Sequence, residues 1–205
     1  MENQIDFYTN ELMDKLVSES EFKANSLCLM VPLSYAMNLV ELNWTDIYFA
    51  YINGYINKID VIYFAVNAIE KGCSNQIVLS IADLNAKLVS KDELLYDYFS
   101  ELIHQEVCEE TREKLLYIIL HFLYDKRNQF EDPFQAVEVV YADFSYPILM
   151  EGFVRFMIPF GNVTSSLGES DMLMSNWKKY LDEQAIRYNT EQSGDSKGKS
   201  QSGDG

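Results

Sequence analysis

Two histidines, three cysteines and thirty-two carboxylates are the side chains through which this chain could do chemistry. His104 and Cys108 stand four residues apart, a spacing that places an imidazole and a thiol on one face of a helix. Such a pair could begin a zinc site or form a Cys–His nucleophile. Zinc would need two further ligands, and no second His/Cys pair supplies them. A Cys–His nucleophile has no supporting motif. The plainer reading is a half-buried imidazole beside a small thiol. His121 lies among Ile118, Leu120 and Phe122 and reads as a packed or boundary histidine. Glu109-Glu110 and Asp92-Glu93 could serve a hydrolase or a divalent cation. Each falls near a helix start, however, where carboxylates favour the positive end of the dipole. No glycine-rich phosphate loop, CxxC, HExxH, G-x-S-x-G elbow or D-x-D-x-D-G calcium loop occurs. The residues therefore predict no enzyme, no cofactor and no metal. A nonstandard site around His104, His121 and Cys108 is the one catalytic alternative.

The acids say more through their positions. Glu93, Asp97 and Glu101 recur every four residues and form one stripe, although like charges at that spacing cost a helix ~0.2–0.5 kcal/mol per pair. Residues 91–114 hold eight acids and three bases, with Glu110 and Lys114 as the favourable i, i+4 pair. Across the chain, 32 acids against 16 bases give a formal charge of −16, which repels nucleic acid and anionic membrane and speeds encounter with basic partners. The stripe is thus either a solvated outer face or a docking surface for a basic groove that otherwise holds RNA or DNA. Glu93, Asp97, Glu101, Glu106 and Glu109 are its contact candidates.

The elements that must position these groups are helices. Apolar residues recur at three and four almost throughout. Four Pro and nine Gly are too few for the frequent turns of an all-β protein, and four of the Gly (194, 198, 203 and 205) lie in the last twelve residues. At 205 residues and 48 % hydrophobic, the chain can bury one substantial core. The expectation is an all-α single domain over 1–187, a bundle or short helical array of about eight to ten helices with little or no β. A polar, disordered tail is expected over 188–205. The pattern predicts a short apolar stripe at Leu12, Met13, Leu16 and Val17, and a break at Pro32 with a helix after it. A helix follows from Asn43 or Thr45 to Gly54, burying Trp44, Ile47, Tyr48 and Tyr51. Asp60 opens another, with Gly72 as its left-handed C′ residue, and a short helix spans 76–84. Ser90 and Glu93 fit a capping box ahead of Leu95, Tyr98, Phe99, Leu102 and Ile103. Residues 110–126 are apolar around much of their circumference and predict the central helix. Asp132-Pro133 is a strong start, and Ser170 caps a last helix carrying Leu173, Met174, Trp177, Tyr180 and Leu181. Three widely spaced cysteines, no signal-like start and no apolar run near ~20 residues predict a soluble cytoplasmic protein.

Between two of these helices stands Tyr141-Ala-Asp-Phe-Ser-Tyr-Pro147, three aromatics, an acid, a hydroxyl and a proline in seven residues. It reads as a corner rather than an active-site loop. Tyr141 ends one apolar stripe, Asp143 or Ser145 caps free amides, and Phe144 packs between the helices. Pro147 starts the next helix, through Leu149, Met150, Phe153, Val154 and Met157.

Three stretches carry a family resemblance: "LNWTDIYFAYINGYI" with "DVIYFAVNAI", then "DPFQAVEVVYADFSYP…MEGFVRFM", and "NWKKYLDE" at 176–183. They resemble small acidic bacterial proteins catalogued as a domain of unknown function. Some of these look like immunity proteins of polymorphic or contact-dependent growth-inhibition toxin systems, including systems with EndoU-type ribonuclease toxins. The resemblance covers roughly Leu42 to Glu183 and transfers no functional residue. It implies a protein that neutralises a cognate basic toxin domain, a ribonuclease, by stoichiometric binding, without contacting nucleic acid or membrane. The alternative is an acidic adaptor or nucleic-acid mimic acting on a host nucleic-acid-binding protein.

Overall fold

The computed structural model describes residues 25–84, 93–104, 107–157 and 168–194. The stripe at 12–17, the Ser90 capping box, Glu106 and everything beyond 194 lie outside the described residues. Within them the chain is all-α, as the periodicity predicts: α1 Leu33–Leu39, α2 Trp44–Ile52, α3 Lys58–Glu70, α4 Gln76–Ala82, α5 Glu93–Leu102, α6 Glu109–Lys126, α7 Pro133–Asp143 and α8 Glu169–Gly194. Short 3-10 turns occupy Arg127–Gln129, Ile148–Phe153 and Arg155–Met157. No strand occurs among the described residues, and none of their helices is long and apolar enough to cross a membrane.

Helix α6 is the axis. Nine of its residues are buried, including the unbroken run Leu115–Leu120, and α2, α7 and α8 pack around it. Helices α3, α4 and α5 continue the array from α2, each against its neighbour. Helix α2 has two working faces. Ile47, Phe49 and Ala50 are buried, whereas Trp44, Tyr48 and Tyr51 are only half-buried and meet rings of α3 and α5. Trp44 stands edge-on to Phe64 at 4.9 Å, and Tyr48 meets Phe99 at 5.2 Å. Trp177 of α8 is fully buried between Tyr124, Phe134 and Phe153. Helix α8 runs past Tyr188, which is buried and stacked on Tyr117 at 5.3 Å.

Side-chain oxygens close the starts of α2, α3, α4 and α7. Asn43 and Asp46 form a reciprocal capping box on α2, and Asn57 with Asp60 does the same on α3. Asp60 is thus the third helical residue rather than the opener. Asp132 accepts from the amides of Phe134 and Gln135, with Pro133 just inside α7, as predicted. The last helix starts two residues earlier than predicted. The carbonyl of Gly168 accepts from Asp171 and Met172, so Ser170 falls inside the first turn.

Helix ends share one device. After α2, the Gly54 amide bonds to Tyr51 and the Tyr55 amide to Ala50; after α3, the Gly72 and Cys73 amides bond to Ile69 and Ala68. Both are Schellman motifs with glycine at positive φ, 77° and 96°. Helix α7 ends the same way, with Ser145 bonding to Ala142 and Tyr146 to Tyr141, but its left-handed residues are Ser145 and Tyr146, each at φ 62°. Left-handed backbone costs an ordinary residue about 1–2 kcal/mol. Ser145 therefore caps nothing. Asp143 turns elsewhere too: its carboxylate accepts from the Ser26 amide at 2.7 Å and the Ser26 hydroxyl at 2.6 Å, tying the incoming chain to the corner. Phe144 is buried as expected.

Beyond the corner, the predicted helix through Met157 is replaced by two 3-10 turns separated by extended Val154 (φ −103°, ψ 121°). Met150 and Phe153, three apart, take the core positions that a three-residue turn aligns, and Gly152 between them weakens an α-helix. The segment is held by Arg155, whose guanidinium forks onto Glu138 at 2.7 and 2.8 Å and reaches Asp132 at 2.7 Å. Burial alone would raise the Asp132 carboxyl, but the Arg155 bond and the two capping amides outweigh it and hold it below the usual range.

One charge pair sits inside the array. Lys114 of α6 donates to Asp46 of α2 at 2.9 Å, with both side chains at least nine-tenths buried. Replacing Lys114 by Met strands a buried carboxylate and should lower stability by about 3–5 kcal/mol in denaturant unfolding. The double change Asp46→Asn with Lys114→Met should recover part of that loss. Ser145→Gly relieves one left-handed residue, and an unfolding free energy raised by about 0.5–1 kcal/mol is expected in denaturant titration.

Candidate functional site

Alternation on α5 puts Leu95 and Phe99 into the core and leaves Asp97 and Glu101 on the solvent face. Glu109 opens α6, and its side chain is 77 % exposed, with Arg112 at 3.9 Å. Asp97, Glu101 and Glu109 are therefore all accessible, as a contact surface requires. Glu93 is the first residue of α5, but its side chain, like all of Glu106, lies outside the described residues. The ion pairs among the described residues engage other acids: Asp46, Glu113, Asp132, Glu138, Asp182 and Glu183, besides the long Glu109 contact.

Sequence periodicity did not foresee a second exposed feature beside Glu109. Tyr146 (62 %), Ile148 (79 %), Leu149 (45 %) and Phe156 (63 %) are all exposed around the α7 corner. A groove of about 320 Å³ runs between this corner and the first turns of α6, lined by Glu109, Arg112, Glu113, Leu116, Phe144, Tyr146, Pro147, Ile148 and Leu149. Assigning 147–157 to one α-helix hides these residues, because a 3.6-residue period sends Leu149 inward. The three-residue spacing of Met150 and Phe153 was the available signal.

The catalytic candidates do not converge. His104 and Cys108 lie between α5 and α6, not on one helix, because α5 ends at Leu102 and α6 begins at Glu109. Both are exposed. Cys108 occupies the N-cap of α6, and the Thr111 amide and hydroxyl pull its thiol below its ordinary pKa. His121 is thirteen residues further along α6, or about 20 Å of helix, and it has partners of its own. The Tyr35 hydroxyl lies 2.6 Å from His121 Nδ1 and donates to Asp125 at 2.6 Å. With that proton committed to Asp125, the Tyr35 oxygen accepts from His121 Nδ1–H, which sets the imidazole tautomer. The chain of bonds fastens α1 to α6. No group of three or more His, Cys, Asp or Glu able to hold a metal occurs among the described residues.

Burial holds His121 below its ordinary pKa, although Asp125 and Asp182 oppose the shift. Burial also raises Tyr35, with Asp125 adding to it. A base with a lowered folded pKa takes up its proton more readily in the unfolded chain. This contribution to stability is therefore complete above about pH 6.5 and is lost as pH falls through the lower folded value. An NMR titration should place His121 below the ordinary histidine value, and His121→Gln should flatten the acid limb of the stability profile.

No curated protein and no solved structure matches the chain. A family model does, over residues 33–185, from the start of α1 to within α8. The matched stretch takes in α1 to α7, the corner after α7 and the first part of α8, and the chain belongs to the family described as an uncharacterized protein conserved in bacteria (DUF2247).

Proposed function

We propose that this protein is an immunity protein that binds a cognate secreted nuclease toxin and neutralises it by stoichiometric association in the cytoplasm. The observation that carries the reading is the exposed set Asp97, Glu101 and Glu109 on a chain of formal charge −16. A ribonuclease needs a basic surface to hold its polyanionic substrate. An acidic protein steers to that surface at a rate raised by long-range attraction, and occupying it blocks the substrate. Inhibition of this kind asks for a shaped, charged face and no chemistry from the inhibitor.

Co-expression with the protein encoded immediately upstream tests the reading. Toxicity of the neighbour alone, with growth rescue and co-purification in the presence of this chain, is the expected result. A toxic neighbour that is neither rescued nor captured would overturn it. An isolated gene whose product captures a host nucleic-acid-binding protein would favour the acidic adaptor instead. For a captured toxin, Asp97→Lys with Glu101→Lys should slow association about tenfold at low salt and flatten its salt dependence. Unchanged association kinetics would remove α5 from the interface.

A further inference from the structure

Steering brings partners together, but affinity usually rests on a few large side chains in well-packed pockets. We propose that the groove between the α7 corner and the start of α6 is the anchor site, and that it takes a basic protein segment presenting one large apolar side chain. The proposal rests on the reading of the protein as an inhibitor of a basic partner, and it names the face that does the holding.

Several observations meet at this place. The floor is apolar, formed by Leu116 and Phe144, and the outer wall is Tyr146, Pro147, Ile148 and Leu149. At about 320 Å³ the groove has room for a bulky side chain rather than a whole domain edge. Ile148 at 79 % exposure and Tyr146 at 62 % are costly groups to leave in water unless a partner covers them. Phe156 extends the apolar wall, since Tyr141 lies 5.2 Å from Tyr146 and 5.8 Å from Phe156. The opposite rim belongs to α6. Glu113 is occupied by Arg187 at 2.6 Å, and Arg112 lies over the Phe49 ring at 5.8 Å. Glu109, 3.9 Å from Arg112, and its exposed neighbour Glu110 stand at the start of α6 beside this rim and leave that turn with one more acid than base. Charge complementarity selects a Lys- or Arg-bearing occupant, and the floor selects its apolar anchor.

Two arms test the groove. In the first, ¹⁵N-labelled protein is titrated with the synthetic peptide Lys-Lys-Trp-Lys-Lys and with its all-Glu counterpart. Amide shifts confined to residues 109–116 and 144–149, for the basic peptide only, are expected. Shifts elsewhere, or equal shifts with both peptides, would overturn the proposal. So would contacts from residues 1–24 to Ile148 in the free protein, or concentration-dependent shifts there, which would assign the groove to the chain's own start or to a second copy. In the second arm, Ile148→Asp and Tyr146→Ser are compared with wild type for binding to the upstream-encoded protein. Both positions are exposed, so an unchanged melting curve is the control. The expected result is a Kd raised about tenfold or more, mainly through faster dissociation. Wild-type affinity in both variants would overturn the groove and leave the inhibitor reading standing. Peptide shifts at the groove without capture of the neighbour would overturn that reading and leave the groove standing.

Discussion

The array turns on one buried carboxylate with two duties. Asp46 Oδ2 accepts from the Asn43 amide at 2.9 Å, closing the start of α2, and from Lys114 Nζ at 2.9 Å, neutralising an ammonium in the side of α6. A slide of α2 along α6 by one helical turn, about 5.4 Å, would leave both charges uncompensated in an apolar surrounding. The pair therefore fixes where α2 sits, and the rest of the array follows from α2. With Ile47 and Phe49 committed to the core, Trp44, Tyr48 and Tyr51 must face outward to the next layer. There they draw Phe99 of α5 inward, and the alternation of α5 then delivers Asp97 and Glu101 to solvent.

Three bases are committed to the joints of the fold. Lys114 holds α2 to α6, Arg187 holds α8 to α6, and Arg155 holds the 3-10 segment to α7 through Asp132 and Glu138. Each of these bridges joins two elements; Lys114 is buried, whereas Arg155 and Arg187 are neutralised with their side chains 39 % exposed. Acids on α5 and at the start of α6 have no such internal use. The acid excess visible in composition is therefore carried at the surface, with the pairing at the joints and exposed carboxylates on α5, at the start of α6 and elsewhere along the chain.

Much of this was legible in the chain. Asn43, Asp132-Pro133 and Gly72 announce helix boundaries through local rules, and the boundaries appear where those rules place them. Residues 110–126 announce a central helix because apolar side chains surround it, and nine of the helix's residues are buried. What stayed hidden depends on distance along the chain. Nothing local distinguishes Asp46 from any capping acid; only Lys114, 68 residues away, makes it a core charge. Asp143 looks like a cap until Ser26, 117 residues upstream, claims it. The exposed corner was missed for a different reason. Its pattern of three and four is shared by an α-helix and a 3-10 turn, and the two periods differ in which residues they turn outward. Of the contact candidates, Asp97, Glu101 and Glu109 could be placed at the surface from spacing alone, whereas the apolar wall beside Glu109 could not.

The left-handed pair Ser145 and Tyr146 would have a thermodynamic consequence for any partner docking at the proposed groove. A glycine at such a corner roams widely before binding, and whatever it carries must be frozen by the partner. A serine and a tyrosine have few other conformations that also satisfy the bonds to Ala142 and Tyr141. Folding has already borne the ordering of this backbone, so docking there meets a wall that stands in place. The entropy usually surrendered on binding is correspondingly small. A corner that looks like a local defect in the folded ledger is, for a partner, a surface with nothing left to organise.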